Sequence, residues 1–353
     1  MGKINLKATL QKLTKKPSEP HQRITNNVLE DVRHDVIKKG RRFKYPVQYE
    51  RHKVIINALA IAFASVIIIT FLAWWSLYKQ NSDSLVLFKL TQFLPLTIGK
   101  VDDEPIYYSD YLAQYRTSMH WYRLKETVSS NSLHLVEAQF RKDSFNNAGA
   151  IAFATKLARE SNLKISNEEV NSELESIYRN NQLSAGALDS IAKDNYGLSS
   201  SEYKRFLIRN ALLIRKVSFA IDDSARNLTE QVKTDLKSNS DFTAVAGQYG
   251  GDKLIFSETE MVEHGRADND GLVAEVMKLA VGQISEPFAS TGREGYYFVK
   301  LVAKDDTTVR YQSLLVPLKE FDNRLMALRT NHQVESYIPI DLVANQEQQN
   351  LDK

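Results

Sequence analysis

The chain has 353 residues, a net charge of +3 at pH 7, 43% hydrophobic residues and no cysteine. The missing thiols exclude disulfides, Cys-ligated metals and cysteine nucleophiles, and they leave the redox compartment open. Charge is unevenly spread. Segment 1–54 holds fourteen Lys and Arg against five acids, a net +9; the whole chain carries +3, so the remainder carries −6.

Residues 1–23 read as disordered, and 28–39 (VLEDVRHDVIKK) as a short helix stopped by Gly40 as its C-cap. An unbroken apolar run follows at 54–73, VIINALAIAFASVIIITFLA. Twenty residues at about 1.5 Å rise cover about 30 Å, the hydrocarbon thickness of a bilayer. Asn57, Ser65 and Thr70 are its only polar side chains, and Trp74, Trp75 and Tyr78 follow as an interfacial belt would. The basic cluster KKGRRFKYPVQYERHK abuts the run, so the N-terminus is expected in the cytoplasm and everything from about residue 79 outside it. An n-region of more than fifty residues does not suit a cleaved signal peptide, which leaves an uncleaved signal anchor in the inner membrane. The tail carries no recognisable nucleic-acid module. It reads as a topology signal touching anionic lipid, not as a nucleic-acid site.

The ectodomain opens with LPLTIGKVDDEPIYYSDYL at 94–112: a short strand, a turn at Asp102-Asp103, and Ser109 capping a helix. From about 110 to 221 the pattern is helical. Ser166 to Glu169 and Ser199 to Glu202 are capping boxes, each followed by an apolar stripe (Val170, Leu174, Ile177, Tyr178; then Tyr203, Phe206, Leu207). Segment 146–161 is rich in small residues and admits a second helix closely. After Ala220 the pattern changes to helices at 224–237 and 241–249, a break at Gly250-Gly251 and a strand in KLIFS. A helix at 271–280, antiparallel strands at 296–303 and 309–318, and a final amphipathic helix follow. NQEQQNLDK at the end reads as frayed.

Sharper chemistry finds little support. The ectodomain histidines are His120, His134, His264 and His332; no two lie at i, i+4 and no HExxH occurs, so no metal site is expected. There is no G-x-S-x-G, and no Gly-Lys-Ser/Thr follows Gly250-Gly251. Asp102-Asp103-Glu104 matches no calcium-loop spacing and reads as a solvated turn. The aromatics Tyr107, Tyr108, Tyr111, Tyr115, Trp121 and Tyr122 serve either the core or a cleft for unfolded segments.

IGKVDDEPIYYSDY, LARESNLKISNEEVNSELESIYRNNQ and YGLSSSEYKRFLIRNALLIRKV resemble the chaperone module of foldases of the SurA, PpiD and PrsA type, over about 95–221. The single N-terminal anchor looks most like PpiD. DFTAVAGQY, GGDKLIF and LAVGQISEPFASTGREGYYFVKLV are similar to a parvulin prolyl-isomerase domain. That resemblance implies a catalytic pattern that this chain mostly lacks. The family's last-strand His is Tyr297, the pocket Met aligns with Asp268 and the pocket Phe with Leu272. The family's first strand, with its other His, is absent before the helix at 224. VRYQSLLVPL resembles that strand, with Ser313 at the His position, and is expected to fill the vacant sheet position as a permuted strand. His264 is either a surviving polar group of the isomerase site or an ordinary surface residue.

The expected protein is thus single-pass: a basic cytoplasmic tail (1–53) and a transmembrane signal anchor (54–78), then an all-α SurA-N-like chaperone module (79–221). A small α+β parvulin-like domain (222–318) and a C-terminal helix with a disordered tail (319–353) complete it. The resemblance implies holding of unfolded or newly translocated polypeptides, with Phe256, Leu272, Phe288, Trp121 and Tyr122 as peptide contacts, contact with a translocon, and no cofactor. An active prolyl isomerase and a cell-envelope peptide-binding adaptor are the alternatives.

Overall fold

The computed structural model describes residues 25–44, 46–80, 82–125, 130–180, 183–184, 186–265 and 270–340. The tail 1–23, the side chain of His134, Asp268 and the tail 341–353 lie outside the described residues. The chain divides into two compact units, Met1–Leu72 and Ala73–Lys353.

The first unit holds helix α1 (Asn26–Lys44) and most of α2 (Pro46–Tyr78). Helix α1 runs through Gly40, the expected stop. One glycine in a helix interior costs only about 1 kcal/mol, and the lysines and arginines around it are good helix formers. In α2, His52–Tyr78 is long and apolar enough to cross a membrane. Its two hydroxyls stay inside the helix, Ser65 donating to the Ile61 carbonyl and Thr70 to that of Val66, each at 2.8 Å.

The second unit begins with the last turn of α2. Leu77 is fully buried. The Tyr78 hydroxyl donates to the Thr97 carbonyl and the Tyr108 hydroxyl to the Leu77 carbonyl, both at 2.6 Å. Helix α3 (Leu85–Phe93) follows, capped by Ser84, whose side chain accepts from the Leu87 amide. Strands β1 (Thr97–Val101) and β2 (Glu104–Tyr107) form a hairpin, where only one strand was expected. Its turn residues Asp102 and Asp103 take φ of 45° and 65°, as a two-residue hairpin turn requires. Helix α4 (Tyr108–Lys125) starts one residue before Ser109, so the expected cap is a buried residue of the first turn.

Helix α5 (Ser130–Glu160) lies against α4 and β2, and its small residues Ala148, Ala152 and Ala154 let that approach happen. Helix α6 (Asn167–Asn180) has the expected box, with Ser166 and Glu169 exchanging backbone and side-chain bonds at 2.8 and 3.1 Å. Helix α7 (Ala187–Ser190) continues into a π-helical turn, π1 (Ile191–Asn195). The second box, at Ser199 and Glu202, starts α8 (Ser200–Glu202), which passes through π2 (Tyr203–Ile208) into α9 (Arg209–Ile221).

Helices α10 (Asp223–Ser238) and α11 (Phe242–Tyr249) then cover one face of a second sheet. Its strands are β3 (Ile255–Glu258), β4 (Val262–Glu263), β5 (Phe288–Ala289), β6 (Gly295–Lys304) and β7 (Thr308–Pro317), with a short helix α12 (Leu272–Val276) before β5. The expected helix at 271–280 is thus reduced to five residues. Gly250, at φ 83°, breaks the chain before β3 in a conformation L side chains rarely adopt. The strand order is β3-β7-β6-β5, with β4 also on β7, so β7 lies between the KLIFS strand and β6.

The last segment does not stand apart. Helix α13 (Glu320–Thr330) buries Phe321 and Leu325 in the core of the helical module, where Phe321 meets Phe153 at 5.3 Å between ring centroids. Strand β8 (Val334–Ser336) then pairs antiparallel with β1, giving the sheet order β2-β1-β8. The sequence offers α13 as an appended helix; the fold uses it as a wall of the first module.

Candidate functional site

Two places in the second unit concern function: one face of the second sheet, and a cavity in the helical module. Alternation along β6 and β7 sorts the sheet side chains. Phe298, Leu314 and Val316 face α10 and α11. Val299, Leu301, Val309 and Tyr311 face α12. Tyr297 and Ser313 belong to the α12 side by the same alternation, and both are buried. Tyr297 stacks on Phe288 at 6.2 Å, and Leu272 packs with the same cluster.

The sheet therefore brings Tyr297, Ser313, Leu272 and Phe288 to one face. It does not bring Phe256 there: that ring, on β3 opposite Leu314, packs with the α10–α11 core. His264 is also remote. Its amide donates to the Thr307 carbonyl at 2.9 Å, and Thr307 is six residues from Ser313, about 20 Å at strand rise. His264 is half-buried, not on an open surface. Ser313 has Val299 across one strand and Ser257 across the other. Among the described residues, the polar groups of Tyr297 and Ser313 that the register gathers here are hydroxyls. They donate and accept hydrogen bonds, but they supply no imidazole and no carboxylate.

Trp121 and Tyr122 lie in α4. Trp121 is exposed, while Tyr122 is buried edge-on against Phe140 at 5.9 Å. Tyr108, Tyr111 and Tyr115 are core, and burial pushes their phenols up.

The helical module holds a cavity of about 370 Å³ that sequence reading did not single out, lined by Leu174, Ile177, Tyr178, Leu188, Tyr196 and Tyr203 among others. Tyr196 and Tyr203 meet at 5.0 Å between centroids. Burial, with the neighbouring Tyr196 phenol, pushes the Tyr203 hydroxyl up to about 12. Both π-helical turns contribute to its wall, through Ile191 and Asn195 in π1 and Tyr203 in π2. A π turn widens a helix and re-aims its side chains, and such turns occur often at functional sites. Volume and lining suit one large apolar side chain with a polar tip in reach. Tyr178 and Tyr203 were visible in the sequence as members of apolar stripes; nothing local distinguishes a stripe that fills a core from one that lines a hole.

The electrostatics of the module are anchored at Glu202. Burial opposes its charge, but bonds from Lys89, from the Ser199 amide and hydroxyl, and from Gln92 outweigh it and hold the carboxyl down at about 2. The ion pair with Lys89, at 2.7 Å, ties α3 to the start of α8.

Residues 51–218 match the family model described as the SurA-like N-terminal domain. This stretch is similar to the SurA-like N-terminal domain. The match supports a chaperone family of the SurA/PpiD type and a helical, chaperone-like module. No curated protein matches the chain. The cavity of Tyr178, Tyr196 and Tyr203 lies inside the matched stretch, whereas α13 and β8, which complete the core of the helical module, lie outside it.

Proposed function

We propose that the chain is a PpiD-type, single-pass, extracytoplasmic chaperone that holds unfolded or newly translocated polypeptides. The SurA-like domain over 51–218 is the observation that carries this reading. Its aromatic cavity gives apolar client side chains a place to insert, and α2 fixes the module at the bilayer, with the basic flank in the cytoplasm. Anchoring confines the search for emerging chains, so weak contacts suffice through effective concentration. Contact with the translocon fits the same placement.

The sheet domain is, on this reading, a parvulin-like domain that has lost its isomerase site. The order β3-β7-β6-β5 supports it, because β7 stands beside β6 as the permuted strand would. Rotation about an X–Pro amide has a barrier of roughly 20 kcal/mol, and hydroxyls on a buried sheet face offer little to lower it. Two measurements on the full chain in detergent test both halves. Suppression of aggregation of a denatured client at several-fold excess is expected; its absence would favour a peptide-binding adaptor. In a protease-coupled proline-peptide assay no acceleration over background is expected, and acceleration lost in Tyr297→Phe or His264→Ala would overturn the isomerase-free reading.

A further inference from the structure

Helix α3, Leu85–Phe93, buries Phe88 but leaves much of its apolar surface uncovered. Its polar side chains Lys89 and Gln92 both bond to Glu202, and Thr91 closes on the Phe88 carbonyl at 2.8 Å. Phe88 packs inward on Phe206 at 5.7 Å. Val86 and Phe93, by contrast, are 78% and 84% exposed, and Leu85 and Leu94 are exposed beside them. Between Ser84 and Val101 the chain contains no acid, only Lys89 and Lys100. An apolar face without negative charge is unopposed by an anionic surface.

The start of α3 decides what covers that face. After α2 the chain folds back on the helix: the Gln80 amide donates to the Trp75 carbonyl at 3.3 Å, and the Ser82 amide to the Ser76 carbonyl at 3.0 Å. Leu85 is three residues further on, a reach of at most about 11 Å. Helix α3 therefore begins within about 11 Å of the turn held on the Trp75 and Ser76 carbonyls, next to Trp74 and Trp75 in the chain, which are both 45% exposed. No slack separates the two, because Leu77 is buried and the Tyr78 and Tyr108 hydroxyls clamp that turn.

We propose that the outward face of α3 lies in the headgroup region of the bilayer crossed by α2, with Leu85, Val86 and Phe93 inserted beside Trp74 and Trp75. Interfacial helices bury an apolar face to a depth of about 5–10 Å, the size of one layer of side chains. The contact gives the module a second attachment besides the span, and so a fixed orientation over the membrane. The proposal rests on α2 being a membrane span.

The absence of cysteine permits single labels without background. Val86→Cys, Phe93→Cys, Met326→Cys on α13 and Phe63→Cys in α2 are made in the full chain. Each carries an environment-sensitive fluorophore and is reconstituted in vesicles of phosphatidylethanolamine and phosphatidylglycerol. Labels at 86 and 93 are expected to be quenched by brominated lipid and to be several-fold less accessible to iodide than the label at 326. Lipid quenching at 63 with 86 and 93 as open to iodide as 326 overturns the proposal and leaves the anchor standing. Failure of quenching at 63 overturns the anchor and this proposal with it. Shielding at 86 and 93 that appears only when an unfolded client is added assigns the face to clients, and also overturns it.

Discussion

The carboxylate of Asp222 accepts the backbone amide of Glu320 at 3.0 Å, across 98 residues of sequence. The same oxygen takes the Lys319 amide at 2.8 Å, while the other takes the Ala225 amide at 2.9 Å and the Ser224 hydroxyl at 2.7 Å. One buried side chain thus caps α10 and α13 together, where the chain leaves the helical module and where it returns to it. Arg215 works nearby, pairing with Glu173 at 2.7 Å and donating to the Thr291 carbonyl, and Phe219 stands edge-on to Tyr296 at 5.2 Å.

Asp222→Ala removes two caps at once. Single caps are worth about 1 kcal/mol, and the unsatisfied buried amides add to that, so a loss of about 2–4 kcal/mol is expected. Asp222→Asn keeps an acceptor and should lose less. Urea unfolding of the two variants against the parent chain measures the difference.

Acid should weaken the fold through Glu202 and Asp222. Burial opposes the charge of both, but their hydrogen bonds outweigh it, and both folded values lie below the ordinary ones. A depressed carboxyl contributes stability that is complete above its unfolded value and is lost as pH falls through the folded one. For Glu202 the window runs from 4.5 down to about 2. Glu202→Gln should therefore lower the melting temperature at neutral pH, and the gap to the parent should shrink across that window in thermal melts.

Phe321→Ala should destabilise the helical module, although residue 321 lies outside the matched domain. Truncating a buried Phe costs about 3–5 kcal/mol. Faster hydrogen exchange in α5, around Phe153, is the local readout, and exchange confined to α13 would contradict the packing described above.

Gly99→Ala should detach β8. A Cβ there would collide with the Glu335 carbonyl and crowd the Phe145 ring. Loss of amide protection at 334–338, with β1–β2 still protected, is the expected exchange pattern.

Tyr203→Ala should weaken client binding, since it removes a wall of the cavity. An interface anchor is typically worth at least about 1 kcal/mol, roughly fivefold in affinity. Fluorescence anisotropy with a labelled unfolded client measures it, and an unchanged affinity would move the client contact elsewhere.

Much of this architecture could be read from local signals. The capping boxes at Ser166 and Ser199, the apolar run in α2, the Asp102-Asp103 turn and the β6–β7 hairpin each depend on residues close in sequence, and all are present. The features that differ from expectation are non-local or marginal. Gly40 did not stop α1, since one glycine costs a helix interior only about 1 kcal/mol and the residues on either side favour the helix. Strands β2, β4, β5 and β8 are only two to four residues long and exist because a neighbour pairs with them. Among the candidate site residues, Tyr297 and Ser313 share a face because β6 and β7 pair in a register that puts both on the side of α12. The distance of His264 and the opposite facing of Phe256 depended on register, which no single strand encodes.

The helix long enough to span a membrane, the helical module and the sheet domain after it are legible in the chain, because each is written in periodicity and composition. That α13 and β8 close the first module, that Asp222 caps two helices, and that π turns border a phenol-lined cavity emerges from the folded chain alone. Those features arise from contacts across many tens of residues, where the chain pattern constrains which groups are apolar or polar but not which of them meet.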